Sequence, residues 1–404
     1  MIEQSESFDS NTQVPVAALF PKEDSRKTSS FENLSTVLTS YFYKPDLTAI
    51  RIVLGTIQAH RLNIGDPAWL FVVAPPGCGK TTMSIMGACG LPEVRMLGDF
   101  TENTFLSGFY GHKEPGVLEK LGRTEKSGDT SVTHGNAVFM AKDFTTVLSM
   151  RREKRAAILG QLREIHDGEF RRAFGTGETK IWKGRVTIVA AVTPALDTHY
   201  SVFSVLGERF LQVRWHRPDS EDAGIWAIQQ QGNEASIREK LVKAYAETFD
   251  QAAMITPQLS HNMQRRLASL AEIIALARTH IFRNSYGSRE IEFTPEAEAN
   301  TRISKGLAGV AKGIASVMQH TQVEESDLQD SFRVGLDCLQ DYRRKVFLSV
   351  TRRRDVRLLS IPQTMLKREL ENLQQLNIIE EIESNFVLTP RIAKLWHEAN
   401  IVLP

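Results

Sequence analysis

The 404-residue chain has little of what marks several protein classes. It carries only three cysteines, Cys78, Cys89 and Cys338. So sparse and odd a count excludes a disulfide framework, and none of the three has metal-ligand spacing, so a reducing compartment is expected. No apolar run reaches the roughly 18 residues of a membrane span, and no basic start followed by an apolar run is present. The expectation is therefore no membrane partner and a cytoplasmic location. Charge of one sign is also missing: 49 Lys and Arg stand against 48 Asp and Glu, a formal net charge of +1. Attraction to nucleic acid must then come from local patches. His60, His166 and His199 form no metal-spaced pair, and no Ser-His-Asp or paired-carboxylate pattern suggests another chemistry. At 42% hydrophobic and 24% charged residues the composition is that of a soluble globular protein. Its length allows two or three domains.

What is present begins with FVVAPPGCGKTT, Phe71 to Thr82. Phe71, Val72 and Val73 predict a buried strand, a glycine-rich turn follows, and MSIMGACG can begin a helix. Gly77 and Gly79 let backbone N–H groups converge on an anion, the helix start adds its positive end, and Lys80 supplies a full charge. Thr81 places a hydroxyl for Mg2+. Ala74 to Thr81 fits the spacing G/A-x-x-x-x-G-K-[ST], a P-loop. Pro76, Gly77, Cys78, Gly79, Lys80, Thr81 and Thr82 are thus the expected contacts of ATP, with Mg2+ beside it.

Along the chain, residues 1–45 are rich in Ser, Thr, Glu and Asn and predict a flexible segment. Leu47 to Leu62 has helical spacing, broken by GDPAW. After the P-loop, EVRMLGDFTENTFLSGF predicts strand, turn and helix, and Gly122 to Asn136 a polar loop. AVFMAKDF reads as an apolar strand ending at Asp143. An amphipathic helix follows, with Ala157, Leu159, Leu162 and Ile165 among its apolar positions. FRRAFGTGETKIWKGRV predicts a hairpin and RVTIVAAVTP a buried strand. Strands separated by helices predict an α/β fold, a parallel sheet with the nucleotide at its carboxyl edge. From about Asp219 the pattern turns to long helices, the last capped by Thr294 and Pro295. Beyond Phe347, a helix with Leu366, Leu370, Leu373 and Leu376 in register and two short strands suggest a winged helix. The expected domains are the flexible segment 1–45, a nucleotide-binding core 46–218, a helical lid 219–340, and a basic linker with winged helix 341–404.

Several of these segments together resemble the AAA+ ATPases, within them the clade with a hairpin before sensor 1. That clade includes minichromosome-maintenance helicases and bacterial enhancer-binding activators. QLREIHDGEFRRAFGTG with GRVTIVAAVTP is similar to the helix, hairpin and sensor-1 strand of the activators. VLGERFLQVRWHRPD is similar to the helicases' serine-arginine-phenylalanine segment, and QRRLASLAEIIALARTHI to the lid helix bearing sensor 2. The P-loop region with KDFTTVLSM also resembles ATP-binding proteins of phages and mobile elements.

The resemblance implies a P-loop core with a helical lid, ATP and Mg2+ as cofactors, and self-assembly into a hexamer or other ring. It implies that Lys80 contacts the β and γ phosphates, Thr81 binds Mg2+, and Asp143 supports Mg2+ or its water. Thr193 stands where sensor 1 usually has Asn. Arg209 matches the arginine finger that reaches a neighbour's γ-phosphate, and Arg265, or else Arg266, matches sensor 2. An arginine acting in trans supplies positive charge as phosphoryl transfer proceeds. One departure is plain. The family usually ends the strand with Asp-Glu, and here it reads Lys142-Asp143-Phe144. Either Asp143 takes the Asp position and Phe144 replaces the catalytic Glu, or Lys142 takes the Asp position and Asp143 is the base; Glu164 or Glu169 could also substitute.

Nucleic-acid contacts are expected on the hairpin, where Arg171, Arg172, Lys180, Lys183 and Arg185 alternate with Phe174 and Trp182. The alternative is an ordinary amphipathic hairpin with Trp182 packed inward. YRRK and TRRRDVR form a basic patch before the winged helix, whose Gln363, Thr364, Lys367 and Arg368 take the positions of base contacts. Glu369, Glu371, Glu380, Glu381 and Glu383 would repel a duplex, which leaves a protein client open. The expected function is an oligomeric ATPase that moves or remodels DNA for a mobile element. The alternatives are a protein-remodelling ATPase and a slow or non-hydrolysing ATP switch.

Overall fold

A computed structural model describes residues 30–98, 100–106, 115–199, 209–216, 220–252, 254–284 and 290–402. Most of the expected flexible segment, residues 1–29, lies outside them. Its last part departs from the expectation. Ser30–Tyr41 form helix α1, because Phe31, Leu34 and Leu38 recur at helical spacing and are buried. Helix α2, Leu47–Arg61, starts at Asp46, whose carboxylate accepts from the Ala49 N–H. Strand β1 is Trp69–Val73. The turns after it widen and then tighten: Thr81–Met86 is a π-helix and Gly87–Gly90 a 3-10 helix.

Strands β2 (Val94–Leu97), β3 (Arg123–Ser127), β4 (Thr130–His134) and β5 (Ala137–Ala141) lead to helices α3 (Thr145–Leu148) and α4 (Arg152–His166). Strands β6 (Glu169–Ala173), β7 (Thr179–Lys183), β8 (Val186–Val192) and β9 (Phe210–Arg214) follow. The helical part holds α5 (Ser220–Gln229), α6 (Glu234–Gln251), α7 (His261–Ala277), the short strands β10 (Phe282–Arg283) and β11 (Ile291–Phe293), α8 (Thr301–Val317) and α9 (Glu325–Asp337). The chain closes with α10 (Asp341–Thr351), α11 (Gln363–Gln375), β12 (Ile379–Ile382), β13 (Asn385–Leu388) and α12 (Pro390–Ala399).

The central sheet has five parallel strands in the order β2-β5-β8-β1-β9. Being covered on both faces, its strands are continuous apolar runs, with every residue of β1, β5 and β8 buried. The two-residue period sorts them. Leu70 and Val72 join an apolar cluster with the helical part, while Trp69, Phe71 and Val73 join a second cluster with α3 and α4. The first cluster runs without a break from Phe31 to Ala399. Within it α2 and α8 cross closely at Gly55 and Gly313, where a Cβ on Gly313 would overlap the Gly55 carbonyl oxygen.

Four sequence expectations are corrected. Gly122 to Asn136 is not a loop: β3 and β4 form a hairpin, and β4 pairs in parallel with β7, giving a four-stranded sheet β3-β4-β7-β6. Its Gly128–Asp129 turn, with Gly128 at φ +58, is the two-residue type that opens on glycine. The residues of 100–106 after β2 are turns rather than a helix, and 107–114 lie outside the described residues. Helix α8 starts at Thr301 after Asn300, not at Thr294–Pro295, which follow β11 directly. Ala157 is exposed; the buried face of α4 is Ile158, Leu159, Leu162 and Ile165.

Candidate nucleotide-binding site

The P-loop follows β1 at the carboxyl edge of the sheet. Gly77 (φ +79) and Gly79 (φ +77) hold conformations that residues with a Cβ avoid. Nothing lies within 4 Å of where a Gly77 Cβ would stand, so it is the backbone conformation, not crowding, that calls for glycine there. Lys80 is buried, and its Nζ donates to the carbonyls of Ala74 at 2.8 Å and Pro75 at 3.3 Å. The ammonium is thus folded over the loop it belongs to. The Thr81 hydroxyl has no partner among the described residues, and Cys78 is a free thiol packed against the apolar cluster that also takes Phe42. Pro76 leads the turn, and Thr82 continues it as part of the π-helix.

Asp143 and Thr193 arrive at the same edge on neighbouring strands. Strand β8 lies between β1 and β5, and the Ala74 N–H donates to the Val192 carbonyl at 3.1 Å. The Thr193 N–H in turn donates to the Thr145 hydroxyl at 3.1 Å, and the Thr145 N–H donates to the Asp143 carboxylate at 2.8 Å. Thr145 therefore ties the two predicted residues together. Its sequence position carried a weak signal, since an aspartate at a strand end commonly accepts from the backbone two residues on.

Strand β5 ends at Ala141, two residues before the expected Asp143, so Lys142 and Asp143 both stand exposed beyond it. Phe144 is fully buried, with ring centroids 5.2 Å from Phe71 and 5.0 Å from Phe100. The side chain after Asp143 thus points into the core and not toward the P-loop. Glu164 and Glu169 offer no replacement within the chain. The α4 end next to Glu164 packs His166 edge-on against Trp69, the first residue of β1, with centroids 5.1 Å apart. Both glutamates belong to the amino edge, where Glu169 pairs with Lys183 at 3.2 Å.

Arg209 also lies at the amino edge, just before Phe210, which pairs with Trp69. Its guanidinium donates to both Asp167 oxygens at 3.0 Å, while its Nε is buried without a partner. Next to it, burial and then the Arg209 charge press the His166 pKa down to about 4, against the opposing pull of Asp167. Of the two sensor-2 candidates, Arg266 is locked. It holds Glu325 with two bonds of 2.6 and 2.7 Å and donates to the carbonyls of Ala399 and Asn400. Arg265 is exposed on α7 and has no partner among the described residues.

At the opposite end of β9, the Arg214 guanidinium meets Asp197 at 2.7 Å, and its backbone N–H donates to the Asp337 carboxylate at 2.8 Å. Arg333 reaches Asp46 at 2.5 Å, and Arg344 reaches Asp337 at 2.8 Å. Burial works against the Arg214 charge, and the Asp197 and Asp337 carboxylates more than offset it, so its pKa rises. This network fastens the P-loop edge of the sheet to α9 and α10, and nothing in the spacing of these residues announced it.

The expected nucleic-acid residues are spread over two places. On the β6–β7 hairpin Trp182 is buried, as the amphipathic alternative has it. Arg172 donates to the carbonyls of Glu102 and Leu106, Lys180 pairs with Glu119 at 2.7 Å, and Lys183 pairs with Glu169. Arg185 donates to the carbonyls of Ile64 and Gly65. Arg171 is the exposed hairpin cation with no partner among the described residues. On α11, Lys367 is exposed, but Arg368 holds Glu369 at 3.1 Å. Glu369 itself is buried against Arg343 at 2.9 Å, and Glu371 pairs with Arg283 at 3.0 Å. Neither is a free charge repelling a duplex.

These residues fit a magnesium-bound triphosphate: Lys80 has only its own loop carbonyls to serve, Thr81 is unpartnered among the described residues, and Asp143 is exposed. No protein-family model matches the chain, and no curated protein does. No helix among the described residues is long and apolar enough to cross a membrane.

Proposed function

We propose that the chain is an ATP-binding ATPase of the AAA+ type that assembles with copies of itself into a ring. The supporting observation is the meeting of the Lys80 loop, Asp143 and Thr193 at the carboxyl edge of a parallel sheet, with Thr145 bridging two of them. Ligands of open α/β sheets bind outside that edge. In this reading Lys80 exchanges the Ala74 and Pro75 carbonyls for phosphate oxygens. Thr81 and Asp143 hold Mg2+, which supplies neutralising charge there. Thr193 orients water through its hydroxyl, Arg209 of a neighbour adds positive charge, and Arg265 serves as sensor 2. The helical segment acts as a lid, consistent with Tyr245 of α6 donating its hydroxyl to the Met83 carbonyl at 2.6 Å, just past the P-loop. The elements from α10 to α12 act as the winged helix. DNA is the proposed substrate, contacted first through Arg171 and Lys367.

A second reading is favoured by Phe144. With the residue after Asp143 in the core and Glu164 and Glu169 at the far edge, neither glutamate is in place to activate water beside Asp143. The chain then works as a slow ATPase or as an ATP-dependent switch. Phosphate release and binding of a fluorescent ATP analogue, measured on wild type and Lys80→Ala, separate these. Turnover lost in Lys80→Ala supports the ATPase; binding without turnover in the wild type supports the switch; equal binding by both proteins removes the nucleotide reading.

A further inference from the structure

The carboxy-terminal hairpin leaves one strand edge uncovered, and that edge lies along a cationic groove. Strands β12 and β13 form a sheet of only two strands. Their turn, Glu383–Ser384, has φ +48 and φ +64, the two-residue hairpin turn with both central residues left-handed. Such a turn is closed by a hydrogen-bonded pair, here Ile382 with Asn385, so Glu380 with Val387 is the next. The Thr389 N–H donating to the Ile378 carbonyl at 3.1 Å continues that alternation. Phe386 and Leu388 therefore turn their N–H and C=O away from β12, and no hydrogen bond among the described residues uses them.

Phe386 and Leu388 are among the residues that line a cavity of about 720 Å³ between β13, the end of α10 and α12. Its apolar lining includes Val350, Val356, Val387 and Trp396. On its rim Arg353 and Arg354 are exposed, and neither guanidinium has a partner among the described residues. Arg357, also on the rim, is engaged by Asp355 at 2.9 Å.

We propose that this groove binds an extended acidic segment of a partner protein, added to β13 as a third strand. Phe386 and Leu388 supply the main-chain pairing, alternate apolar side chains of the segment settle on the groove floor, and its carboxylates meet Arg353 and Arg354. A nucleic acid shares the attraction to the arginines but has no peptide groups to complete a strand edge. The proposal does not depend on nucleotide, and its test is run without any.

The probe is a fluorescein-labelled eight-residue peptide alternating Glu and Val, titrated with full-length protein and read by anisotropy. Its affinity is expected to fall at least tenfold for Arg353→Glu with Arg354→Glu, two exposed positions whose change leaves the core alone, as circular dichroism checks. A second peptide, methylated on alternate backbone nitrogens, keeps the charge but cannot pair, and it too is expected to bind at least tenfold more weakly. Equal binding of both peptides, an unchanged affinity in the double variant, or failure of the probe to bind overturns the proposal. So does a single-stranded DNA of equal charge that binds more tightly than the peptide and loses that affinity in the same double variant.

Discussion

At the scale of single residues, the most informative groups are ionisable ones held away from water. Burial, reinforced by the Arg185 charge, lowers the His60 pKa to about 4, and His166 falls to about 4 for the reasons given above. Both stay neutral in the folded chain where an unfolded histidine, at 6.5, already takes a proton. Their contribution is thus fully present above pH 6.5 and is lost as the pH falls from 6.5 toward about 4. Each is worth at most about 3 kcal/mol over that window. Urea unfolding at pH 7.5 and pH 4.5 is expected to show a smaller loss for His60→Asn than for wild type; equal losses would remove His60 as a cause. The Arg343–Glu369 pair has a different logic. Its members are 3% and 1% exposed, and Arg343 also donates to the Ala277 and Thr279 carbonyls. Glu369→Ala leaves a buried cation without its counter-charge and is expected to cost about 3–5 kcal/mol in the same assay. Replacing both partners by apolar residues of similar volume should recover much of that loss.

At the scale of elements, packing decides where local sequence is silent. The crossing of α2 and α8 gives a sharp case. In an open helix Gly→Ala gains about 1 kcal/mol, and at Gly309 of α8 nothing lies within 4 Å of where an alanine methyl would stand. Gly309→Ala is expected to raise the melting temperature. Gly313→Ala, four residues on, sets a methyl against the Gly55 backbone and is expected to lower stability by about 1–3 kcal/mol. A rise in both would mean that the helices separate at little cost. The same contrast explains which elements could be read in advance. Strands β1, β5 and β8 are apolar on both faces and announce themselves. Strand β3 is exposed at every position, so its polar residues read as a loop, and only the Gly128–Asp129 turn hinted at the hairpin. Helix α1 hid three core residues in a polar stretch, and α8 ignored a plausible cap at Thr294 because its buried face begins at Ile303. At the candidate site, glycine spacing made the turn after β1 legible. Which residue follows Asp143 toward solvent was not, because it depends on Phe144 finding a place between two other rings.

At the scale of the whole molecule, the proposed chemistry needs more than one copy. Lys80 follows the carboxyl end of β1, while Arg209 precedes the amino end of β9, and the two strands run side by side in parallel. The five residues of β1 separate the two edges by four steps of about 3.3 Å, about 13 Å in all. The Arg209 side chain does not reach its own P-loop across the width of the sheet, so the proposed role requires a nucleotide held by a neighbouring copy. Within one chain its guanidinium is held by Asp167, a partner with 61% of its side chain exposed. The proposed assembly would exchange that carboxylate for the nucleotide and so couple the neighbour's binding to Asp167. The head-to-tail interface this proposal requires joins two different surfaces, and it gives the proposed ring where the rotation between copies closes. Arg209→Ala is then expected to abolish phosphate release while leaving ATP binding intact, and Lys80→Ala to abolish both. An equal mixture of the two inactive proteins contains, by random assembly, about a quarter of interfaces with both groups intact. Phosphate release is expected to return toward that fraction of the wild-type rate. A mixture as inactive as its components, under conditions where the two proteins demonstrably co-assemble, would leave Arg209 as a structural partner of Asp167 and nothing more.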